Sequence, residues 1–169
     1  GDSRVTEKWI NGIFALGEKD KKKIGGFLRT LHSWWKQRVA FPVAEIGDFA
    51  KHIFREHNQE ADHLANLGAG GSRRMEIDKK SITEKWTAIR GFWYGSAKAK
   101  GRCGCGVIIK AADRGAWRTI TKIAVPLGTD SAMTAEVIGA CILVGAVDLI
   151  LNRVMHKENL NTCIKAIVQ

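Results

Sequence analysis

The sequence is short of acid. Lys and Arg number 27 against 17 Asp and Glu, a formal net charge of +10 with a pI of about 9.7. The imbalance suits a polyanionic partner, because basic side chains that neutralise phosphates release counterions. A solvated basic surface, or a seat in a larger assembly, accounts for the same charge. An unbroken apolar run of membrane length is also lacking. The longest, residues 137–147, stops at Asp148. That is too short for a span of roughly 20 residues, so no membrane span is expected and the run reads as a helix buried on most sides. No secretory leader is visible. Cysteine is sparse, and the spacing of Cys103, Cys105, Cys141 and Cys163 matches no zinc pattern. Cys103 and Cys105 alternate along a predicted strand and so share a face. Reduced, mostly buried thiols are expected, and with them an intracellular, reducing compartment. Proline is scarcer still: Pro42 ends a helix and Pro126 opens a loop.

What remains is an ordinary globular chain. Its 169 residues, 45% of them hydrophobic, make one domain with a proper core. Val5, Trp9, Ile13 and Leu16 recur on one helical face behind a Ser3 N-cap. Residues 18–23, EKDKKK, are a charged loop or helix start. A second amphipathic helix follows Gly25-Gly26 and carries Trp34, Trp35 and Lys36. Tryptophans interleaved with basic residues fit a surface that grips nucleic acid, and they equally fit a core face with a wet back. Residues 50–54 form a short strand candidate. The stretch 55–67, REHNQEADHLANL, holds a short charged loop and then a helix to about Leu67.

Residues 68–80 shift to glycine, serine and charge, which reads as a linker. Three strands are expected next, at 88–94, 102–111 and 117–125. Asp113-Arg114-Gly115 supplies a hairpin turn, and the strands make an antiparallel meander. A helix from about Met133 to Asn152, starting near Ser131, contains Glu136. A last strand is expected at 162–168.

The stretch 55–67 resembles the last active-site element of type 1 ribonuclease H domains, close to the retroelement version. The family runs three strands, a helix, a strand, further helices, a strand and a last helix. Here the same elements are rotated. Residues 82–169 resemble the family's first half and residues 1–67 its second, with 68–81 bridging them. Joining Gln169 to Gly1 gives CIKAIVQGDSRVTEKWING, a strand ending in Asp-Ser and then a helix, as the family's fourth strand requires. The resemblance implies an α/β ribonuclease H-like fold, with a five-stranded mixed sheet, flanking helices and circularly permuted order. A permutant, or a unit of a tandem array paired across molecules, fits that order, so a monomer or a swapped oligomer is expected.

It also implies a site. In the family, clustered carboxylates hold two divalent cations, and hard oxygen ligands suit Mg²⁺ or Mn²⁺. Glu136 matches the first-helix Glu, Asp2 the fourth-strand Asp and Asp62 the last-helix Asp. The first-strand Asp-Gly-Ser reads Tyr94-Gly95-Ser96 here, so Tyr94 stands where the metal-bridging Asp belongs. A phenol, with an ordinary pKa of about 10, is neutral and a poor ligand. His57 lies where the family often carries a general-acid histidine. Lys19, Lys21, Lys22, Lys23 and Lys36 would sit on the family's basic handle, and Trp34, with Ser96 and Lys98 beside the degenerate strand, completes the expected substrate contacts. The expected partner is an RNA–DNA hybrid or another nucleic acid, with hydrolysis impaired at Tyr94. The alternative is an inactive structural or interaction subunit of a larger assembly.

Overall fold

The computed structural model describes residues 3–11, 15–38, 51–82 and 86–156, without the side chains of 34–38 and 153–156. The chain is mixed α/β. Helices α1 (Arg4–Ile10) and α2 (Glu18–Arg38) precede α3 (Gln59–Ala69). Strands β1 (Arg74–Ile77), β2 (Ala88–Ala97), β3 (Arg102–Asp113) and β4 (Ala116–Thr129) lead to α4 (Ala132–His156). Among the described residues the sheet is four-stranded, open and antiparallel, in the order β1-β4-β3-β2. The expected mixed five-stranded sheet is not what these residues form. The strand expected at 162–168 lies outside them.

The meander forms where turn chemistry and alternation predict it. Arg114 and Gly115 both have positive φ, the signature of a two-residue hairpin turn. Asp113 pairs with Ala116 directly across it. The strand from Ala88 runs on through Gly95 and Ser96, because β3 offers Cys105 and Gly104 as partners there. Residues 68–81 connect the two halves as expected, but they are folded onto the sheet. Gly68 and Ala69 extend α3, and Arg74–Ile77 pairs with β4. Residues 51–54 are not a strand. Among the described residues no strand pairs with Ile53 and Phe54, and Phe54 stays 60% exposed.

Two cores separate across the sheet. On one face α1, α2 and α4 enclose Trp9, Leu28, Leu31, Val107, Ile109 and Ile123, all buried. Each fully buried aliphatic side chain of this kind contributes about 1.5–3 kcal/mol. Ser3 caps α1 by accepting a hydrogen bond from the Thr6 amide. The buried stripe of α1 is Thr6, Trp9 and Ile10, leaving the expected Val5 exposed, while Ile13 lies outside the described residues. The charged run at 18–23 is the first turns of α2. Residues 132–152 of α4 are long and apolar enough to cross a bilayer by length and composition, well beyond the expected 137–147. However, 61% of that stretch is buried inside the protein.

On the other face α3 packs in a second, smaller core of Ala61, Leu64, Ala65, Tyr94, Ile108 and Ala124. The helix approaches so closely that two positions of β3 beneath it are glycine. A Cβ at Gly106 would lie 2.2 Å from the Ala61 carbonyl oxygen, and one at Gly104 would lie 2.1 Å from the Ala69 amide nitrogen. Gly106→Ala must therefore push α3 away from the sheet. An overpacking loss of about 1–3 kcal/mol is expected, read as a lower urea midpoint by circular dichroism.

Candidate functional site

The residues singled out by the resemblance meet around Tyr94-Gly95 in the middle of β2. Tyr94 is 9% exposed, its ring held beneath α3 against Leu64 and Ile108. The Arg55 guanidinium, from a 3-10 turn (Arg55–His57), lies 5.5 Å from the centre of that ring. The same guanidinium donates to Asp62 Oδ1 at 3.0 Å. Asp62 sits in the first turn of α3, one turn past Asn58. A phenol ring, a guanidinium and a carboxylate are thus stacked in series on one side of β2.

Glu136 reaches the same strand from the opposite face. Ser131 caps α4 by accepting from the Thr134 amide, and Glu136 follows within the next turn. Its carboxylate is 3% exposed, and Oε2 accepts a 2.6 Å hydrogen bond from the Gly95 amide. Gly95 must lack a side chain here, since a Cβ would fall 2.2 Å from the Glu136 backbone nitrogen. Asn58, also buried, donates from Nδ2 to the Trp93 carbonyl at 2.9 Å. Trp93 and Gly95 are two residues apart, so their backbone groups face the same side of the strand. Side chains from both layers take them, as blunts the edge of a sheet.

Burial also marks this region electrostatically. Cys105 pairs directly across from Gly95. Its thiol is pushed up to about 12, first by burial and then by the nearby Glu136 charge. Burial likewise pushes Cys141 up to about 12. Cys103, Cys105 and Cys141 are free thiols, as expected, while Cys163 lies outside the described residues.

Other sequence-predicted residues scatter. His57 is exposed in the 3-10 turn, at the mouth of a cleft of about 150 Å³ beside Glu60 and Lys110. Ser96 donates to Asn66 Oδ1 at 2.7 Å, which ties β2 to α3. Lys98 is exposed at the β2–β3 turn. Along α2, Lys21 pairs with Glu18 at 2.7 Å and Lys23 with Asp130 at 3.1 Å, and Lys22 is exposed. Trp34, Trp35 and Lys36 lie in α2, with side chains outside the described set. Asp2 is outside it altogether.

A metal pair needs several oxygen ligands converging on one point. Among the described residues no group of three or more His, Cys, Asp or Glu does so. The two described family acids have other partners: Glu136 the Gly95 amide, Asp62 the Arg55 guanidinium. Arg55 and Asn58 were not given roles from the sequence. Their legible signal was position, seven and four residues before Asp62 in the same REHNQEAD stretch.

The raised thiols carry a pH consequence. A group whose folded pKa lies above its unfolded value contributes stability that is whole below the unfolded pKa. Here that value is 9.0, and the contribution is lost as pH climbs from there toward 12. The unfolding free energy should fall above pH 9, by up to about 1.4 kcal/mol per pH unit for each thiol, read as a falling urea midpoint. Replacing both Cys105 and Cys141 with Ala should flatten that slope. An unchanged slope in the double variant would show that neither thiol is perturbed. Comparison of the chain with family models, curated proteins and solved structures found no match.

Proposed function

We propose that the chain is a ribonuclease H-like nucleic-acid-binding domain in permuted order, derived from a hydrolase of RNA–DNA hybrids, with hydrolysis weak or lost. The observation that carries the reading is the series Tyr94, Arg55, Asp62. A guanidinium is permanently charged and offers its donors in a rigid fork. Beside Asp62 it supplies the positive charge that a divalent ion would otherwise bring. Tyr94 fills the position of the bridging acid with an apolar ring, and that ring serves as a packing surface for α3.

Arg55 is 63% exposed, so its pair with Asp62 contributes less than about 1 kcal/mol to stability. Its value lies in placement. The pairing disfavours metal at Asp62. The basic balance of the chain, +10, supports a polyanionic partner. Recognition of a hybrid would use phosphates and 2′-hydroxyls across a minor groove.

Two measurements test this. Labelled hybrid is incubated with the protein and Mg²⁺ or Mn²⁺, and little or no cutting is expected. Robust cutting that vanishes in Asp62→Asn would overturn the impaired reading. Binding to the same hybrid should weaken steeply as salt rises, whereas a flat response would point to the structural-subunit alternative. In a separate experiment, the double variant Tyr94→Asp with Arg55→Ala should bind Mn²⁺ at least about tenfold more tightly than the parent, as two removed obstacles of about 0.7 kcal/mol each would give. No gain by Mn²⁺ titration would mean the acids do not converge there.

A further inference from the structure

Among the described residues, the sheet face that carries α3 is covered only at one end. Helix α3 packs on it, and its first turn stops at the row of Phe92, Ile108 and Lys122. Beyond that row the strands continue with no described helix over them. Arg90 pairs with Lys110 in the next row, and Trp117 stands across from Ala112 in the one after.

Two aromatic rings here each carry a cation. The Arg90 guanidinium lies 4.3 Å from the centre of the Trp117 ring. It reaches from β2 to β4 across β3, where Ala112 has only a methyl group to obstruct it. Lys110 Nζ lies 5.6 Å from the Phe92 ring centre. Arg90 is exposed and Trp117 is 38% exposed, so neither is core. One carboxylate, Glu60, serves both Lys110 at 2.9 Å and Lys122 at 3.4 Å. The Lys110 contact, ahead of partial burial, holds the Glu60 carboxyl below its usual range. Two lysines therefore share one anion, Glu76 across from Lys122 is paired with Arg74, and with Arg90 the face keeps a positive excess around two rings.

We propose that this open face binds single-stranded nucleic acid, with unpaired bases stacking at Trp117 and Phe92 and phosphates meeting Arg90, Lys110 and Lys122. The chemistry selects the occupant. Rings on a sheet can stack only with bases that are free of a duplex, and every base has a face to offer. A guanidinium held over a tryptophan ring adds a cation–π contact to the stacking surface and brings its charge close to a bound backbone. An acidic protein would use the cations but leave the rings idle. A second copy of this chain would bring the same positive excess and repel it. This surface is separate from the Tyr94 region, and the proposal does not rest on the hybrid-binding reading.

The test is fluorescence anisotropy of the full chain with labelled oligothymidylate and, separately, a labelled hybrid duplex. Trp117→Ala should weaken oligothymidylate binding about tenfold or more, while Trp117→Phe retains most of it. Arg90→Gln should weaken it and lower the salt slope by about one. Neither change should alter hybrid affinity. Unchanged oligothymidylate affinity in Arg90→Gln and in a folded Trp117→Ala would overturn the proposal. So would a native mass showing that these variants only dissociate a dimer. Should Trp117→Ala fail to fold by circular dichroism, Arg90→Gln and Trp117→Phe decide the matter.

Discussion

Helix α3 can lie against β3 only because two positions of that strand have no side chain. Gly104 and Gly106 receive the backbone of the helix itself, and Ala61, Ala65, Gly68 and Ala69 are its matching small surface. Contact at this range brings dense dispersion and leaves no room for adjustment. It sets the height of α3 above the sheet. That height lets Asn58 reach the Trp93 carbonyl and holds the Tyr94 ring under Leu64. It also sets Asp62 and Arg55 beside the ring. The polar seam and the packing seam are one structure.

The same close packing recurs on the far side of β2, where Gly95 admits the backbone of α4. Strand β2 is therefore clamped between two helices that each donate a polar side chain to it. Glu136 comes from one and Asn58 from the residue preceding the other. A buried carboxylate is costly unless hydrogen-bonded, and the Gly95 amide helps to meet that need. The arrangement is coherent as architecture. An acid that anchors a strand and an acid that holds an arginine are both occupied, which is the physical basis for proposing that chemistry has receded and binding remains.

Much of the architecture was legible in the residues. The hairpin at Arg114-Gly115 and the Ser3 cap rest on local rules, and local rules govern turns and capping. Other elements were misread where local signals conflict with pairing. Residues 51–54 look β-prone but have no partner among the described residues. Residues 74–77 sit in a glycine-rich, charged stretch and yet pair with β4. Strand formation depends on a neighbour far along the chain, and composition does not reveal one. Asp62, Glu136 and Tyr94 were each placed on an element by the resemblance. What each touches was not visible, because the partners come from elsewhere: Gly95 lies 41 residues from Glu136, and Trp93 lies 35 from Asn58.

The sequence by itself determined the basic charge, the meander with its turn, the long apolar helix and a tyrosine before Gly95-Ser96. All of these are properties of composition or of neighbours within a few residues. Only the tertiary structure decided that Arg55 stands between Asp62 and Tyr94, that Glu136 holds a backbone amide, and that Arg90 reaches across β3 to Trp117. Those facts depend on register and on how closely a helix can approach a sheet. Both are settled by side chains that meet only after the chain has folded.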